Sequence, residues 1–334
     1  MFPRVSPDNS QKLRLTSQLL FLALNLWIGV EFYLFVRYYE TGGEGLLVNR
    51  PPGVEGWLPI ASLMNLKAFV LTGQLPPMHA AGMFLLLAFL TMSLLLRKSF
   101  CSWLCPVGTV SEYLWKLGRR TFRRNWSLPK WFDIGLRSLK YVLLGLFVYA
   151  IGTMSAAAIR AFLDGPYGMI ADVKMMNFFR YLSVTGAVVV GVLVLLSVFI
   201  QNFWCRYLCP YGAMLGLLSG VSPAAIRRKE SPCIDCAKCA KACPSLIPVD
   251  QLLKVRTPEC TGCYECVAAC PAEGALEMST GGRRRLPAWG MAAVMAVIFF
   301  GFVGYAQWTG NWHSGVPDSV YFDLIPRADE FGHP

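Results

Sequence analysis

Residues 233–271 read CIDCAKCAKACPSLIPVDQLLKVRTPECTGCYECVAACP and carry eight of the twelve cysteines of the chain. The pattern C-x2-C-x2-C-x3-C-P occurs in this stretch twice, at residues 233–244 and 260–271. In such a pattern three thiolates hold one face of a cubane 4Fe–4S cluster, and the fourth reaches across to the neighbouring cluster. The stretch therefore predicts two 4Fe–4S clusters in a small α+β ferredoxin module of the bacterial type, which we place at residues 227–286.

The crossed pattern divides the eight cysteines into two ligand sets. Cluster 1 is assigned to Cys233, Cys236, Cys239 and Cys270, and cluster 2 to Cys260, Cys263, Cys266 and Cys243. Zinc sites usually combine paired C-x2-C units that a longer stretch separates. Disulfides are not expected in the reducing cytoplasm, where the loop charges described below place this module. The spacing thus favours iron–sulfur ligation over both alternatives.

The chain around the module is typical of a membrane protein. Of its 334 residues 55% are hydrophobic and only 15% are charged. Apolar stretches occur at about 16–36, 79–96, 138–155, 182–200 and 287–306. A helix needs roughly 20 apolar residues to cross a bilayer. We therefore expect an α-helical polytopic protein with five transmembrane helices.

The distribution of basic residues predicts the orientation of these helices. Residues 1–15, 97–140 and 201–286 carry 24 of the 31 Lys and Arg residues. Basic residues accumulate in cytoplasmic loops, so the N-terminus and the module are expected in the cytoplasm of a bacterium and the tail, 307–334, in the periplasm. This topology also explains the net charge of +11 without a nucleic-acid partner. The predicted domains are a four-helix membrane domain at 1–226, the module at 227–286, and a fifth helix with its periplasmic tail at 287–334.

Two short stretches indicate that the membrane domain is an internal duplication. FCSWLCPVG at 100–108 and FWCRYLCPYG at 203–212 share the element C-x3-C-P-x-G, and each follows the second apolar stretch of a pair. The cysteines of these elements are Cys101, Cys105, Cys205 and Cys209, and we call them the cysteine tetrad. If the segments are helical, each pair lies on one helix face.

The position of the tetrad suggests a chemical role. The second cysteine of each pair stands just before the proline that begins the next helix, where the helix N-terminus is expected to lower its pKa. If the two halves face each other, the four thiols converge and hold a third metal centre or form a reversible dithiol. The alternative is that they are buried packing residues at a tight helix junction.

Four ionisable residues in or beside the predicted outer loops are candidates for a quinone site: Glu55, His79, Asp164 and Asp172. Oxidation of a quinol releases protons, so its pocket requires such groups near the membrane interface. The alternative for each residue is an interfacial anchor for a short loop. The polar outer tail has the composition either of a docking strip for a periplasmic protein or of a poorly ordered end.

The two C-x3-C-P elements followed by a double-cluster module resemble the NapH-type membrane polyferredoxins. These are quinol-dehydrogenase subunits of periplasmic nitrate reduction, and they are similar to the membrane part of the nitrous-oxide reductase regulator. The resemblance covers roughly residues 80–275 and, less specifically, 51–64. It implies a subunit of a larger oxidoreductase complex that moves electrons between the quinol pool, its clusters and a periplasmic redox partner. The additional last helix and tail depart from the family pattern and leave the partner undefined.

Three classes of function are compatible with these observations. The leading hypothesis is a membrane-bound electron relay between the quinone pool and a periplasmic or membrane redox protein. The second is an assembly factor that reduces a metal ion or a thiol while such an oxidoreductase matures. A redox sensor ranks last, because the chain has no recognisable output domain.

Overall fold

The computed structural model describes residues 8–126, 128–281 and 284–333. These residues are mostly helical and include one small sheet. Their contacts define two compact units, each built from three separate segments of the chain. The chain passes from one unit to the other five times, each time within an apolar helix. These helices are Ser10–Glu40, Ala80–Leu96, Lys130–Thr153, Val184–Phe199 and Ala288–Trp308.

The first unit contains both four-cysteine runs. It combines the residues up to Leu22 with Phe89–Gly145 and Val190–Ile298. Its antiparallel sheet has the spatial order Lys254–Val255, Ala224–Arg228, Leu276–Thr280, Arg284–Arg285. Buried Ile226 lies opposite Val255 on one side and Met278 on the other, which gives the sheet an apolar centre. The sheet begins at Ala224, so the boundary predicted at 227 falls inside its first strand.

Short helices and turns in this unit carry the cysteine motifs. Pro106 and Pro210 stand at the first turn of their helices, where a missing N–H costs nothing. The helices wholly within this unit are Phe100–Trp103, Pro106–Phe122, the π-helical turn Trp204–Leu208, Pro210–Ser219, Lys238–Ala242, the 3-10 turn Val249–Gln251, and Glu265–Ala268.

The second unit combines Ala23–Ala88 and Leu146–Val189 with the residues from Phe299 onward. Its core packs aromatic residues of the first long helix, including Phe35 and Tyr39, against Tyr321 and Leu324 of the tail. Part of the predicted outer tail thus belongs to a core, and docking of a partner on this tail stays a prediction. The elements wholly within this unit are the 3-10 turn Pro52–Trp57, the helices Pro59–Thr72, Ala156–Leu163, Pro166–Met169, Ala171–Arg180 and Asp318–Leu324, and the 3-10 turn Ala328–Glu330.

Among the described residues, three helices are long and apolar enough to cross a membrane by themselves: Ser10–Glu40, Trp131–Thr153 and Ala288–Trp308. They coincide with three of the five predicted spans. A fourth candidate is the pair Ala171–Arg180 and Val184–Phe199, which is bent by 83°. The predicted span at 79–96 forms a helix of 17 residues, or about 25 Å at 1.5 Å per residue, somewhat short of a hydrocarbon core of about 30 Å. The structure therefore supports a membrane protein but does not confirm the count of five.

Candidate functional site

The four cysteines assigned to cluster 2 line one cavity. This cavity receives Cys243 from the first run and Cys260, Cys263 and Cys266 from the second. All four side chains are buried. Apolar residues complete the wall: Ile226, Ile247, Val249 and Val255. The donor set and its apolar enclosure fit a cubane cluster, for which thiolate ligands and limited access of water are the usual environment.

The backbone between the cysteines bends in the same way in both runs. Gly262 and Tyr264 have φ values of 60° and 59°, and Asp235 and Ala237, at the matching positions of the first run, have 49° and 53°. Left-handed residues are uncommon outside glycine, and they mark turns that the surrounding structure imposes. Two such turns at matching positions give the two runs the same local backbone course.

The four cysteines assigned to cluster 1 lie nearer the surface. Cys236 is exposed, and Cys233, Cys239 and Cys270 are partly buried. The Arg228 guanidinium lies 3.5 Å from the Cys233 sulfur, so a positive charge stands beside this ligand set. The two predicted cluster sites thus differ in their access to water, which is one of the factors that set a cluster potential.

In the C-x3-C-P-x-G elements the second cysteine caps the following helix. The sulfur of Cys105 accepts the N–H of Gly108 at 3.5 Å, and the sulfur of Cys209 accepts that of Gly212 at 3.2 Å. The first element also requires a glycine for steric reasons, because a Cβ at Gly108 would lie 2.1 Å from the Cys101 carbonyl oxygen. Each pair therefore spans a turn and a new helix start, and does not occupy one helix face.

The expected lowering of the thiol pKa values is wrong for the free cysteines. Burial raises the pKa of Cys101 to about 11 and that of Cys205 to about 12, and the pKa values of Cys105 and Cys209 are raised as well. The helix N-terminal hydrogen bonds oppose this effect but do not offset burial. The charges of the other tetrad thiolates contribute to several of these increases, so the two pairs lie near one another.

In the described part of the chain no three His, Cys, Asp or Glu side chains are close enough together to hold one metal ion, and this applies to the tetrad and to the two assigned cluster sets alike. Buried Lys98 lies within electrostatic range of Cys101, Cys205 and Cys209, and its positive charge would favour an anionic centre.

Two buried ion-pair networks beside the cysteines were not anticipated from the sequence. Lys140 donates to Glu259, the residue before Cys260, at 2.6 Å, and Lys140 is fully buried. In the other network the buried guanidinium of Arg14 binds Glu112 and Glu265. The sequence offers one signal of these networks: Lys140 lies within a predicted apolar stretch and Arg14 lies next to one.

The structure gathers three of the four quinone-site candidates around a residue that sequence reasoning missed. Arg50 binds Glu55 at 2.7 Å and Asp172 at 2.7 Å, and its Nη2 lies 3.4 Å from His79 Nδ1. Burial alone would raise the pKa of Glu55, but the charge of Arg50 and a hydrogen bond with His79 lower it to about 2. Glu55, His79 and Asp172 are at most 3% exposed. This group of charged side chains is buried, and its members are paired with one another inside the fold.

Asp164 lies elsewhere in the same unit. It borders a small cavity whose polar wall is formed with Asn65, Gln74 and Arg160. Asn65 donates from this wall to the backbone carbonyls of Met78 and His79 at 2.8 and 3.1 Å. The four candidates therefore separate into one exposed carboxylate beside a cavity and three buried members of a charge cluster.

Two family models match the chain. One, described as a 4Fe-4S binding domain, matches residues 78–125 and again 182–231, the two halves that carry the tetrad. The other, described as a 4Fe-4S dicluster domain, matches residues 224–278. The repeated match supports the predicted duplication. No solved structure matches the chain significantly.

Relatives extend the comparison to nearly the whole chain. YccM, an electron transport protein of Escherichia coli (strain K12), is 50% identical over 331 residues, which cover 97% of this chain and 93% of YccM. The ferredoxin-type protein NapH of the same organism is 26% identical over 44% of this chain and 48% of its own length. The regulatory protein NosR of Stutzerimonas stutzeri is 32% identical over 46% of this chain and 21% of its own. Together with the cysteine pattern and the dicluster match, these relatives show that the chain belongs to the NapH-type polyferredoxin family of 4Fe–4S electron transport proteins.

Proposed function

We propose that this protein relays electrons between the quinone pool and a redox partner through two 4Fe–4S clusters. The observation that carries the proposal is the enclosed cavity at which Cys243 joins Cys260, Cys263 and Cys266. A ligand from the first run beside three from the second is what the crossed pattern requires. When bound, such clusters exchange single electrons, and they would divide the two-electron chemistry of a quinol into one-electron steps.

The residues around the two ligand sets would give the two clusters different roles in the relay. The apolar wall around the cluster 2 set excludes water from the inner site. The exposed thiol of Cys236 leaves the cluster 1 set open to a docking partner, and Arg228 supplies a positive charge beside it. Electrons would therefore exchange with a partner at cluster 1 and with the membrane side through cluster 2.

The cysteine tetrad is proposed as a third metal centre or a reversible dithiol. The mutual electrostatic effects of its thiols and the buried ammonium of Lys98 support a site at this place. The raised pKa values of the free thiols favour the dithiol form whenever no metal is bound, since protonated thiols are poor ligands and poor nucleophiles. The second candidate function, reduction of a metal ion or thiol during maturation of a partner enzyme, would require these thiols to be deprotonated first.

The quinone headgroup is proposed to bind beside Asp164. Its carboxylate is accessible and could accept a phenolic proton, while Arg160 and Gln74 could donate hydrogen bonds to the ring oxygens. Glu55, His79 and Asp172 would then act indirectly, because their charge cluster around Arg50 fixes the loops of this unit.

We place the protein in the bacterial inner membrane with five spans, the N-terminus and the module in the cytoplasm, and the tail in the periplasm. The distribution of Lys and Arg supports this topology. A second support is that each predicted span is a helix within which the chain passes from one unit to the other. The partner would be a periplasmic or membrane redox protein in a larger complex.

The test is anaerobic. The purified protein would be analysed for iron and sulfide, and its clusters would be followed by electron paramagnetic resonance after addition of menaquinol or ubiquinol. Reduction of both clusters at a catalytically useful rate supports a quinol dehydrogenase, and the variant Asp164→Asn should slow it while leaving the dithionite-reduced signals unchanged. If neither quinol reduces the clusters, and the reduced protein does not reduce quinone, the relay is refuted and the maturation function takes its place.

A further inference from the structure

The first C-x3-C-P element is hydrogen-bonded directly to the cluster 2 loop. Ser102 and Trp103 stand between the two cysteines of this element. The Ser102 hydroxyl donates to the Thr261 carbonyl at 2.7 Å, and the Trp103 indole N–H donates to the Gly262 carbonyl at 3.1 Å. Thr261 and Gly262 are the two residues between the first cysteines of the second run. Two hydrogen bonds thus join side chains of one cysteine motif to the backbone of the other.

This junction is rigid and shielded from water. Trp103 is fully buried and its ring meets that of Tyr264 edge-on at 6.1 Å. The carbonyl oxygen of Ser102 accepts from Gln18 at 3.0 Å and from Arg14 at 3.4 Å. Hydrogen bonds in a buried, water-free environment hold their geometry better than exposed ones. The first element is therefore fixed in place against cluster 2.

The second element makes a different contact at the same two positions. The residues at the positions that match Ser102 and Trp103 are Arg206 and Tyr207, which are also buried. Both bind Asp133, Arg206 through Nε at 3.0 Å and Tyr207 through its hydroxyl at 2.5 Å. Asp133 lies in the helix Lys130–Thr153. The two repeats have thus diverged, one holding the cluster loop and the other a long apolar helix.

From this asymmetry we infer that Ser102 and Trp103 fix the position of the cluster 2 loop and thereby set the potential of cluster 2 and its rate of electron exchange. The inference rests on the proposed function and adds two residues of this chain to the relay. Ser102 and Trp103 are positioning residues, whereas Arg206 and Tyr207 only anchor the second half of the tetrad.

The chain offers a matched set of variants. Ser102→Ala and Trp103→Phe each remove one donor to the cluster loop, and Tyr207→Phe removes one donor of the second element. Cluster loading would be checked by iron and sulfide content. The reduction of both clusters would then be followed by freeze-quench electron paramagnetic resonance with menaquinol and, separately, with dithionite, which reaches cluster 1 from solution. The midpoint potential of each cluster supplies a readout independent of turnover.

Ser102→Ala and Trp103→Phe are expected to slow reduction by menaquinol about tenfold, since a displacement of about 1 Å at a reacting centre can cost about a hundredfold in rate. Reduction by dithionite should stay at the wild-type rate, and the potential of cluster 2 alone should change. Tyr207→Phe should behave as wild type. If Trp103→Phe fails to load its clusters, the reduction rate and the cluster 2 potential of Ser102→Ala alone test the inference.

Two results would overturn the inference: a wild-type rate with menaquinol together with an unchanged cluster 2 potential in Ser102→Ala, or an equal slowing in Tyr207→Phe. Failure of the wild-type protein to exchange electrons with quinol or quinone is a separate result, and it would refute the proposed function itself.

Discussion

Replacement of Arg14 should destabilise the first unit by an amount that depends on pH. The guanidinium is 3% exposed and binds both oxygens of Glu112, at 2.6 and 2.7 Å. It also contacts Glu265 at 2.8 Å. Burial alone would raise the pKa of Glu112, but the hydrogen bonds and charge of Arg14, with a smaller contribution from Lys116, lower it to about 2. Arg14→Met would leave this carboxylate buried with Lys116 as its main cation.

The expected cost follows from the pKa of Glu112. A decrease from 4.5 to about 2 corresponds to roughly 3 kcal/mol at about 1.36 kcal/mol per pKa unit. Loss of one partner of a buried ion pair typically costs about 3–5 kcal/mol. Lys116 is 40% exposed and lies 2.5 Å from Glu112, so it retains part of the stabilisation. We therefore expect Arg14→Met to lower the free energy of unfolding by about 2–3 kcal/mol at pH 7.

The pH dependence has a definite sign. Because the pKa of Glu112 is lower in the folded state, its contribution is present above about pH 4.5 and is lost as the pH falls toward 2. The difference between wild type and Arg14→Met should therefore shrink over this interval. Urea unfolding in detergent, followed by tryptophan fluorescence at a series of pH values, measures it.

The matched control is Arg37→Met in the same long helix. Arg37 is 57% exposed, and its guanidinium lies 3.8 Å from Glu40, so its loss should change stability by no more than about 0.5 kcal/mol. If the unfolding free energy of Arg14→Met lies within that margin of the wild-type value, the ion pair of Arg14 with Glu112 does not stabilise the fold as predicted. A difference that stays constant from pH 7 to pH 3 would also contradict the prediction, because it would show that the charge of Glu112 is not involved.

Three further predictions concern the cysteine elements and the second unit. Gly108→Ala should cost about 1–3 kcal/mol in unfolding free energy, because the new Cβ would lie 2.1 Å from a carbonyl oxygen. Gly212→Ala should cost far less, because the nearest neighbour of its Cβ would lie at 3.5 Å. Equal losses of the two variants in urea unfolding would contradict the steric argument. Cys236→Ser should remove the paramagnetic signal of cluster 1 and about half of the iron while cluster 2 persists, and loss of all iron would argue against separate ligand sets. Glu55→Gln should reduce stability at pH 7 by about 2–3 kcal/mol by weakening the Arg50 network, and should flatten the fall in stability that wild type shows between about pH 4.5 and 2; an unchanged pH profile would exclude Glu55 as its source.

The cysteine runs and the duplicated elements could be recognised in the sequence because iron–sulfur ligation depends on local spacing. Spacings of two and three residues fix how a short loop can wrap a centre, and the proline after each run limits where the next helix begins. The cavity that Cys243 shares with the second run has the composition this reasoning anticipates. Apolar stretches likewise predicted where the long helices lie, but not their exact lengths or the bend of 83° after Arg180.

The paired cysteine runs, the repeated C-x3-C-P-x-G element and the apolar helices can all be recognised in the sequence. The surroundings of these features depend on the fold. Burial, which depends on distant packing, reversed the expected pKa change of the tetrad thiols. Arg50 gathers carboxylates that lie 5 and 122 residues away, and Trp103 meets Gly262 across 159 residues. No local pattern encodes such contacts, because they arise only when the folded chain brings remote segments into a shared, water-free interior.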